Sequence, residues 1–322
     1  MLTARAQISA EVNNFYNRAL LERAVPLFVH TRWGQVRDIP TKSGTDTIKF
    51  RKYGALTAQT TALSEGVTPT GKQLSITDVT AVVLYYGDFV TFTDKVLLET
   101  IDPLLTETAE VLGEQAGDSI DKICRAVLEA GTTVQYAATA TATNEVTAAM
   151  KLTRSEVKQG VRTLQGGNAK PITSMVNPGT GQSTTPLNAA YIGIISEDTL
   201  YDLDDATGWI PVEKYPNKKD VMVGEVGSIA GVRFIMTTNA SVSSAGGADS
   251  NDVHRTIILG RNAYGISRIA GNALRNIVKP LGSGGSADPL DQRQTSGWKA
   301  TFVAKILQQA FMIRIEHGVS DS

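Results

Sequence analysis

The chain has 322 residues, of which 42% are hydrophobic and 20% charged, and its formal net charge is -1. These proportions are typical of a globular protein with a sizeable core, and the near-zero charge excludes a protein whose whole surface attracts nucleic acid or anionic lipid. The single cysteine, Cys124, excludes an intrachain disulfide and a cysteine-based metal cage, and no apolar run approaches the roughly 18 residues of a membrane span.

The first predicted element is an amphipathic arm helix over residues 4–23, which Pro26 ends. Residues 1–40 contain five arginines against three acids, a net charge of +2, whereas residues 91–131 contain nine acids against three bases, a net charge of -6. This asymmetry predicts that the arm packs on the acidic segment, within or between subunits; scattered solvated charges are the alternative.

A long hairpin is the next predicted element. Residues 47–53 alternate apolar and charged side chains, as a half-buried strand does, and the run from Leu74 to Phe92 is rich in β-forming residues. The connection over residues 59–72 has the composition of a turn. Such a hairpin is marginal alone and has two unpaired edges, so we expect another subunit, rather than the chain's own core, to cover it. The residues predicted to make inter-subunit contacts are Arg51, Tyr53, Glu65, Gly66, Pro69 and Lys72.

Residues 66–73 match the spacing of a phosphate-binding loop except at the last position, where Gln73 replaces the hydroxyl that would bind magnesium. A phosphate-binding loop joins a buried strand to a helix. In this chain a polar segment precedes the motif and a strand pattern follows it, which predicts a turn and not a nucleotide site.

A long helix is predicted over residues 103–130, with Asp102 as its N-cap and Pro103 in its first turn. Apolar residues recur every three or four positions along one face, and a helix of this length measures about 42 Å. We interpret it as a spine on which other elements pack. The predicted core residues of this spine are Leu105, Leu112, Ala116, Ile120, Ile123 and Val127. Cys124 beside them is interpreted as a small packed or half-exposed side chain.

The remaining pattern mixes helices and strands, so the predicted class is α+β. Helices are predicted at 153–165 and 196–205, and strands at 191–195, 232–237, 256–259 and 276–278. Residues 241–250 are predicted to be a loop, and residues 298–316 a final β-run that returns to the spine.

No catalytic set, cofactor or metal site is predicted. His30, His254 and His317 are too scattered for a metal site, and no nucleophile elbow occurs. Asp202, Asp204 and Asp205 lack the neighbours that a calcium loop requires and are interpreted as a solvated helix end.

Short sequence blocks in a fixed order resemble the major capsid proteins of tailed bacteriophages over essentially the whole chain. The blocks are residues 20–24, 39–40, 47–53, 65–69, 87–90, 114–117, 120–121, 224–227, 231–234, 288–292 and 297–299. The resemblance implies an N-terminal arm (1–40), an extended hairpin loop (41–90), a peripheral domain with the spine helix (91–149), an axial domain (150–253) and a return to the peripheral domain (254–322).

The resemblance implies a structural protein, not an enzyme, that self-assembles into hexamers and pentamers of an icosahedral shell. That shell would enclose double-stranded DNA without tight binding, and the protein would reside in the virion capsid after assembly in the host cytoplasm. Implied partners are other copies of the chain and a separate scaffolding, portal or decoration protein, with no membrane. Because the arm motif begins near Met1, we expect no N-terminal scaffolding segment. The alternative is a cellular nanocompartment shell of the same fold that encloses protein cargo.

Overall fold

The computed structural model describes residues 20, 28–39, 46–54, 56–63, 65–99, 104–176, 184–215, 221–268, 274–284 and 288–320. Its helices are α1 (Asp94–Glu99), α2 (Leu104–Glu129), α3 (Arg154–Gly166) and α4 (Glu197–Asp204). Its strands are β1 (Gln35–Arg37), β2 (Thr47–Tyr53), β3 (Ile76–Val82), β4 (Leu84–Thr93), β5 (Val134–Tyr136), β6 (Ile172–Val176), β7 (Thr184–Ile195), β8 (Ile210–Pro211), β9 (Glu225–Ile229), β10 (Val232–Met236), β11 (Ser241–Ser243), β12 (Val253–Leu259), β13 (Tyr264–Ser267), β14 (Leu274–Lys279), β15 (Arg293–Phe302), β16 (Ala304–Ile306) and β17 (Met312–His317). Apart from the buried Leu20, the predicted arm helix lies outside the described residues, as do Asp102 and Pro103.

A nine-stranded mixed sheet forms the centre of the fold. Its main path runs β5-β17-β12-β7-β10-β9-β8, with β11 paired to β12 and β6 paired to β7. Successive residues along its strands face opposite sides, so Ile257 belongs to the core cluster that contains α2, whereas Ile258 belongs to the cluster that contains α3 and α4. The sheet therefore separates two hydrophobic cores.

Three smaller sheets surround the central one. Strands β14, β15 and β4 form an antiparallel sheet that packs on α2, and β1, β13 and β16 form a second sheet. The hairpin strands β2 and β3 pair with each other along their whole length. The mixture of helix and sheet confirms the predicted α+β class.

Strand boundaries differ from the sequence prediction at three places. The run from Leu74 to Phe92 is two strands, because β3 pairs with β2 whereas β4 pairs with β15. The final run 298–316 contains parts of three strands in three different sheets. The predicted loop 241–250 contains β11, which pairs with β12. Residue periodicity within one segment does not identify the partner strand, whether that strand is next in the chain, as for β11, or distant, as for β4.

Candidate assembly surfaces

The base of the hairpin is anchored in the chain's own core. Ile48, Phe50, Ala81 and Val83 are buried together. The Phe50 ring lies so close to Gly265 of β13 that a Cβ added there would come within 2.4 Å of it. The prediction that the chain's own core leaves the hairpin uncovered is therefore wrong for the base, because apolar residues of β2 reach a glycine on a neighbouring sheet.

The rest of the hairpin, which we call the distal hairpin (residues 51–78), is almost entirely exposed in its described residues. Leu63 is 72% exposed, Val67 66% and Tyr53 57%. Monomeric proteins rarely leave so many apolar side chains on one projecting element. The distal hairpin is thus a surface that its own chain does not cover.

Polar contacts order the distal hairpin. Arg51 lies directly opposite Asp78, with 3.4 Å between Nε and Oδ1, although such an exposed pair contributes little to stability. The Lys72 ammonium donates a hydrogen bond to the Thr57 carbonyl at 2.6 Å and so connects the two limbs.

The segment that resembles a phosphate-binding loop is an exposed turn. Gly66 adopts a φ of +76° in a turn that begins at Glu65, a conformation that glycine adopts without steric cost. Pro69 follows it, and β3 rather than a helix begins at Ile76. In the described residues that follow this loop, a strand therefore stands where a phosphate-binding loop would have the N-terminus of a helix.

A groove crosses the outer face of the sheet formed by β14, β15 and β4. Phe89, Gly297 and Ile277 lie side by side in register across the three strands. A groove of about 540 Å³ runs beside these residues. Beside it, the Lys299 ammonium lies 4.8 Å from the centre of the Tyr85 ring. We call this apolar and basic feature the sheet groove.

The opposite face of the same sheet is tied to α2 by a polar chain. Trp298 Nε1 donates to Gln115 Oε1 at 3.0 Å, and Gln115 Nε2 donates to Asp88 Oδ2 at 2.7 Å. The bond from Gln115, together with the bond from the Phe89 N–H, lowers the pKa of Asp88. These contacts set the orientation of the sheet on the helix.

The spine helix buries part of its predicted seam. Leu112, Ala116 and Ile120 are buried. Three predicted residues are only half-buried: Leu105, Ile123 and Val127. Beyond Ile120 the buried face continues at intervals of four, through Cys124 and Leu128. Burial raises the pKa of the Cys124 thiol well above its ordinary value.

Sequence reasoning missed the buried carboxylate on this helix. Asp121 is fully buried; its Oδ1 accepts hydrogen bonds from the backbone N–H groups of Val29 at 2.9 Å and His30 at 2.7 Å. Its Oδ2 lies 2.7 Å from His30 Nδ1. Asp121 thereby holds the segment after the predicted arm helix against the spine. An acid inside an apolar seam was the signal that could have identified it.

Two other histidines lie together between β12 and β17. His317 Nδ1 donates to the Gly318 carbonyl, and its Nε2 accepts from the Thr256 hydroxyl, each at 2.9 Å. His254 Nδ1 is 2.8 Å from Ser196 Oγ, and the two imidazole centres are 6.3 Å apart. Burial lowers the pKa of His254 and lowers that of His317 to about 4.

Within the described ranges, no group of three metal-ligating side chains occurs. Over the same residues, every helix is too short or too polar to cross a bilayer. Asp204 and Asp205 are exposed as predicted, but Asp202 accepts hydrogen bonds from Ser320 and pairs with Lys151 at 3.0 Å. The interpretation of Asp202 as solvated is therefore wrong.

No protein-family model matches the sequence, and no curated protein matches it either. Solved structures do. The capsid of Ralstonia phage GP4 superposes with a TM-score of 0.70 at 15% identity and covers 89% of this chain and 87% of its own. The chain has the fold of phage capsid proteins.

Two further structures support this assignment of the capsid fold. The head structure of Helicobacter pylori bacteriophage KHP40 has a TM-score of 0.64 at 14% identity and covers 88% of this chain and 87% of its own. The cyanophage Pam1 capsid asymmetric unit has a TM-score of 0.60 at 16% identity, with 93% of each chain covered. The fold prediction is confirmed, and the agreement extends over nearly the whole chain.

Proposed function

We propose that this chain is the major capsid protein of a tailed bacteriophage. The observation that carries the proposal is agreement with phage capsid structures over about nine-tenths of the chain, at TM-scores up to 0.70. The distal hairpin adds support, because a subunit completed by its neighbours is expected to leave apolar side chains exposed.

In this proposal, copies of the chain form hexamers and pentamers that close an icosahedral shell around double-stranded DNA. Assembly takes place in the host cytoplasm, with a scaffolding, portal or decoration protein as further partners. The arm, hairpin loop, peripheral domain and axial domain keep their predicted ranges, except that β4 belongs with the peripheral sheet through its pairing with β15.

The distal hairpin is proposed to lie on the sheet groove of a neighbouring copy. Leu63 and Val67 offer apolar contacts to Phe89 and Ile277. The groove is flanked by Lys279 and Lys299. The acid near the hairpin tip is Glu65, which has the complementary charge. The other proposed contact residues are Arg51, Tyr53, Gly66, Pro69 and Lys72.

The nanocompartment alternative is not favoured, because the solved structures that the chain resembles are phage capsids. Electron microscopy of the purified protein, combined with analysis of copurified material, tests the proposal. We expect icosahedral particles, and double-stranded DNA inside those made during infection. Particles filled with a host enzyme would favour the nanocompartment, and a chain that never forms particles or capsomers would contradict a shell function.

A further inference from the structure

Helix α3 presents an exposed basic face, although the Arg154 guanidinium at its start lies so close to Gly208 of the same chain that a Cβ added there would come within 2.9 Å of it. Arg154, Lys158 and Arg162 are spaced four residues apart, so they lie along one side of the helix over about 12 Å, and all three are exposed. The acid of this helix, Glu156, is buried and accepts hydrogen bonds from the backbone N–H groups of Thr153 and Ala138. The exposed charged residues of α3 are therefore all basic, and we call the side that carries them the basic face.

An acidic cleft lies beside α4. It has a volume of about 740 Å³, and its floor is apolar, with Leu200, Trp209 and Val226 among the lining residues. Tyr201, at its edge, is 73% exposed. Four exposed acids surround the cleft: Glu197, Asp204, Asp205 and Glu213.

These charges lack ion-pair partners within the described part of the chain. This holds for the four acids, for Lys158 and for Arg162. The ends of the two helices carry charges that their dipoles disfavour. Arg154 begins α3, where a cation is unfavourable, and Asp204 ends α4, where an anion is unfavourable. Helix dipoles thus do not account for Arg154 and Asp204, whereas Glu197 lies in the first turn of α4, where an anion is favourable.

We infer that the basic face of one copy docks against the acidic cleft of a neighbouring copy. This inference rests on the proposed shell function, since it names one contact between subunits. A second copy is the fitting partner because the complementary charges lie on the same chain, whose net charge is only -1. The aliphatic stems of lysine and arginine would pack on Tyr201 and Leu200 while their charged ends reach the acids around the cleft.

Charge reversal tests the contact. Lys158→Glu with Arg162→Glu places acids opposite acids. We expect a loss of sedimenting shells or capsomers on the order of tenfold or more relative to wild type, because like charges across an interface are strongly unfavourable. Adding Asp204→Lys and Glu213→Lys to the same chain restores opposite charges and should restore assembly. The matched control is Lys122→Glu with Lys305→Glu, which makes the same change in net charge at exposed sites on α2 and β16.

Melting temperatures of the unassembled variants separate misfolding from loss of contact, and we expect them to match wild type because all four side chains are exposed. Normal assembly of the double reversal, or no rescue by the fourfold variant, would overturn the inference while leaving the shell function intact. Intact shells of the double reversal with reduced DNA content would also overturn it, because the basic face would then contact DNA. Failure of wild type itself to form any oligomer would instead count against the proposed function.

Discussion

At the scale of single residues, buried polar groups connect segments that are distant in the sequence. Asp121 of α2 accepts two backbone hydrogen bonds and pairs with the His30 imidazole, all without solvent access. Tyr264 of β13 donates its hydroxyl to the His30 carbonyl, and burial is the main cause that raises the Tyr264 pKa. One carboxylate thus helps position the chain after the predicted arm helix.

Replacing this carboxylate should destabilise the subunit strongly. In Asp121→Ala, two backbone N–H groups and an imidazole nitrogen lose their buried partner, and we expect a loss of about 3–5 kcal/mol in the free energy of unfolding. Asp118→Ala is the control on the same helix, because Asp118 makes an exposed pair with Lys122 and should cost only about 0–1 kcal/mol. Denaturant titration of both variants measures the difference, and similar losses would show that Asp121 does not hold the segment.

His317 should make stability depend on pH. Its folded pKa of about 4 lies below the value of about 6.5 in an unfolded chain. As the pH falls through this window, the unfolded chain takes up a proton that the folded chain does not, so stability is complete above pH about 6.5 and decreases toward pH about 4, by about 3 kcal/mol. Unfolding titrations across this range should show a smaller decrease for His317→Gln, which retains a donor and an acceptor. Identical pH dependence of the wild type and His317→Gln would show that His317 does not cause the loss of stability at low pH.

At the scale of elements, α2 acts as the support for the sheet formed by β14, β15 and β4, with Ile120 fully buried at the centre of its packed face. Ile120→Asp would place an unpaired charge in this core, at a cost of several kcal/mol, and we expect an insoluble or unfolded chain. Val111→Asp is the matched control, because Val111 lies on the same helix and is 63% exposed. A soluble Ile120→Asp protein with wild-type melting behaviour would show that this face is not core.

The hairpin combines an anchored base with an exposed end. Its base belongs to the chain's own fold through Phe50 and Gly265, whereas the distal hairpin adds little to the stability of the monomer. Folding and assembly should therefore be separable in this element.

Removal of residues 60–71, replaced by a short glycine turn, tests that separation. We expect a folded, soluble subunit with a melting temperature close to wild type that no longer forms shells. Sedimentation and electron microscopy report assembly, and circular dichroism reports folding. Intact shells from this deletion would mean that residues 60–71 of the distal hairpin make no contact that assembly requires.

At the scale of the whole molecule, positive and negative side chains nearly cancel in number but are unevenly distributed over the chain. The net charge is -1, yet the exposed charges of α3 are basic and those that line the cleft beside α4 are acidic. A shell whose subunits use such charges on one another has few left for phosphate. The predicted pairing of arm arginines with spine acids involves Arg5 and Arg18, which lie outside the described residues.

Under the proposed shell function, DNA should consequently be held by enclosure and not by tight contacts. Filter binding of unassembled subunits to duplex DNA across salt concentrations measures this directly. We expect affinity no tighter than the non-specific range of about 10⁻⁴ to 10⁻⁶ M at physiological salt. Tighter binding with a steep salt dependence would overturn the expectation, because it would require many Lys and Arg contacts to phosphate.

The sequence by itself determined those helices and strands whose residue pattern lies entirely within the element. The spine helix was predicted over 103–130 and is α2 (Leu104–Glu129), because apolar spacing and the absence of breakers are local properties. The hairpin strand over 47–53 was predicted for the same reason. Together with the order of the sequence blocks, these elements were sufficient to predict the capsid fold.

Only the tertiary structure decided which distant residues meet. Phe89, Ile277 and Gly297 form one groove because β15 lies between β4 and β14. Asp121 is buried because the chain near His30 crosses the spine at that turn. The hairpin base is covered because Phe50 fits over a glycine more than two hundred residues away. Strand pairing and side-chain packing depend on interactions between two segments, so the residue periodicity of one segment cannot predict them.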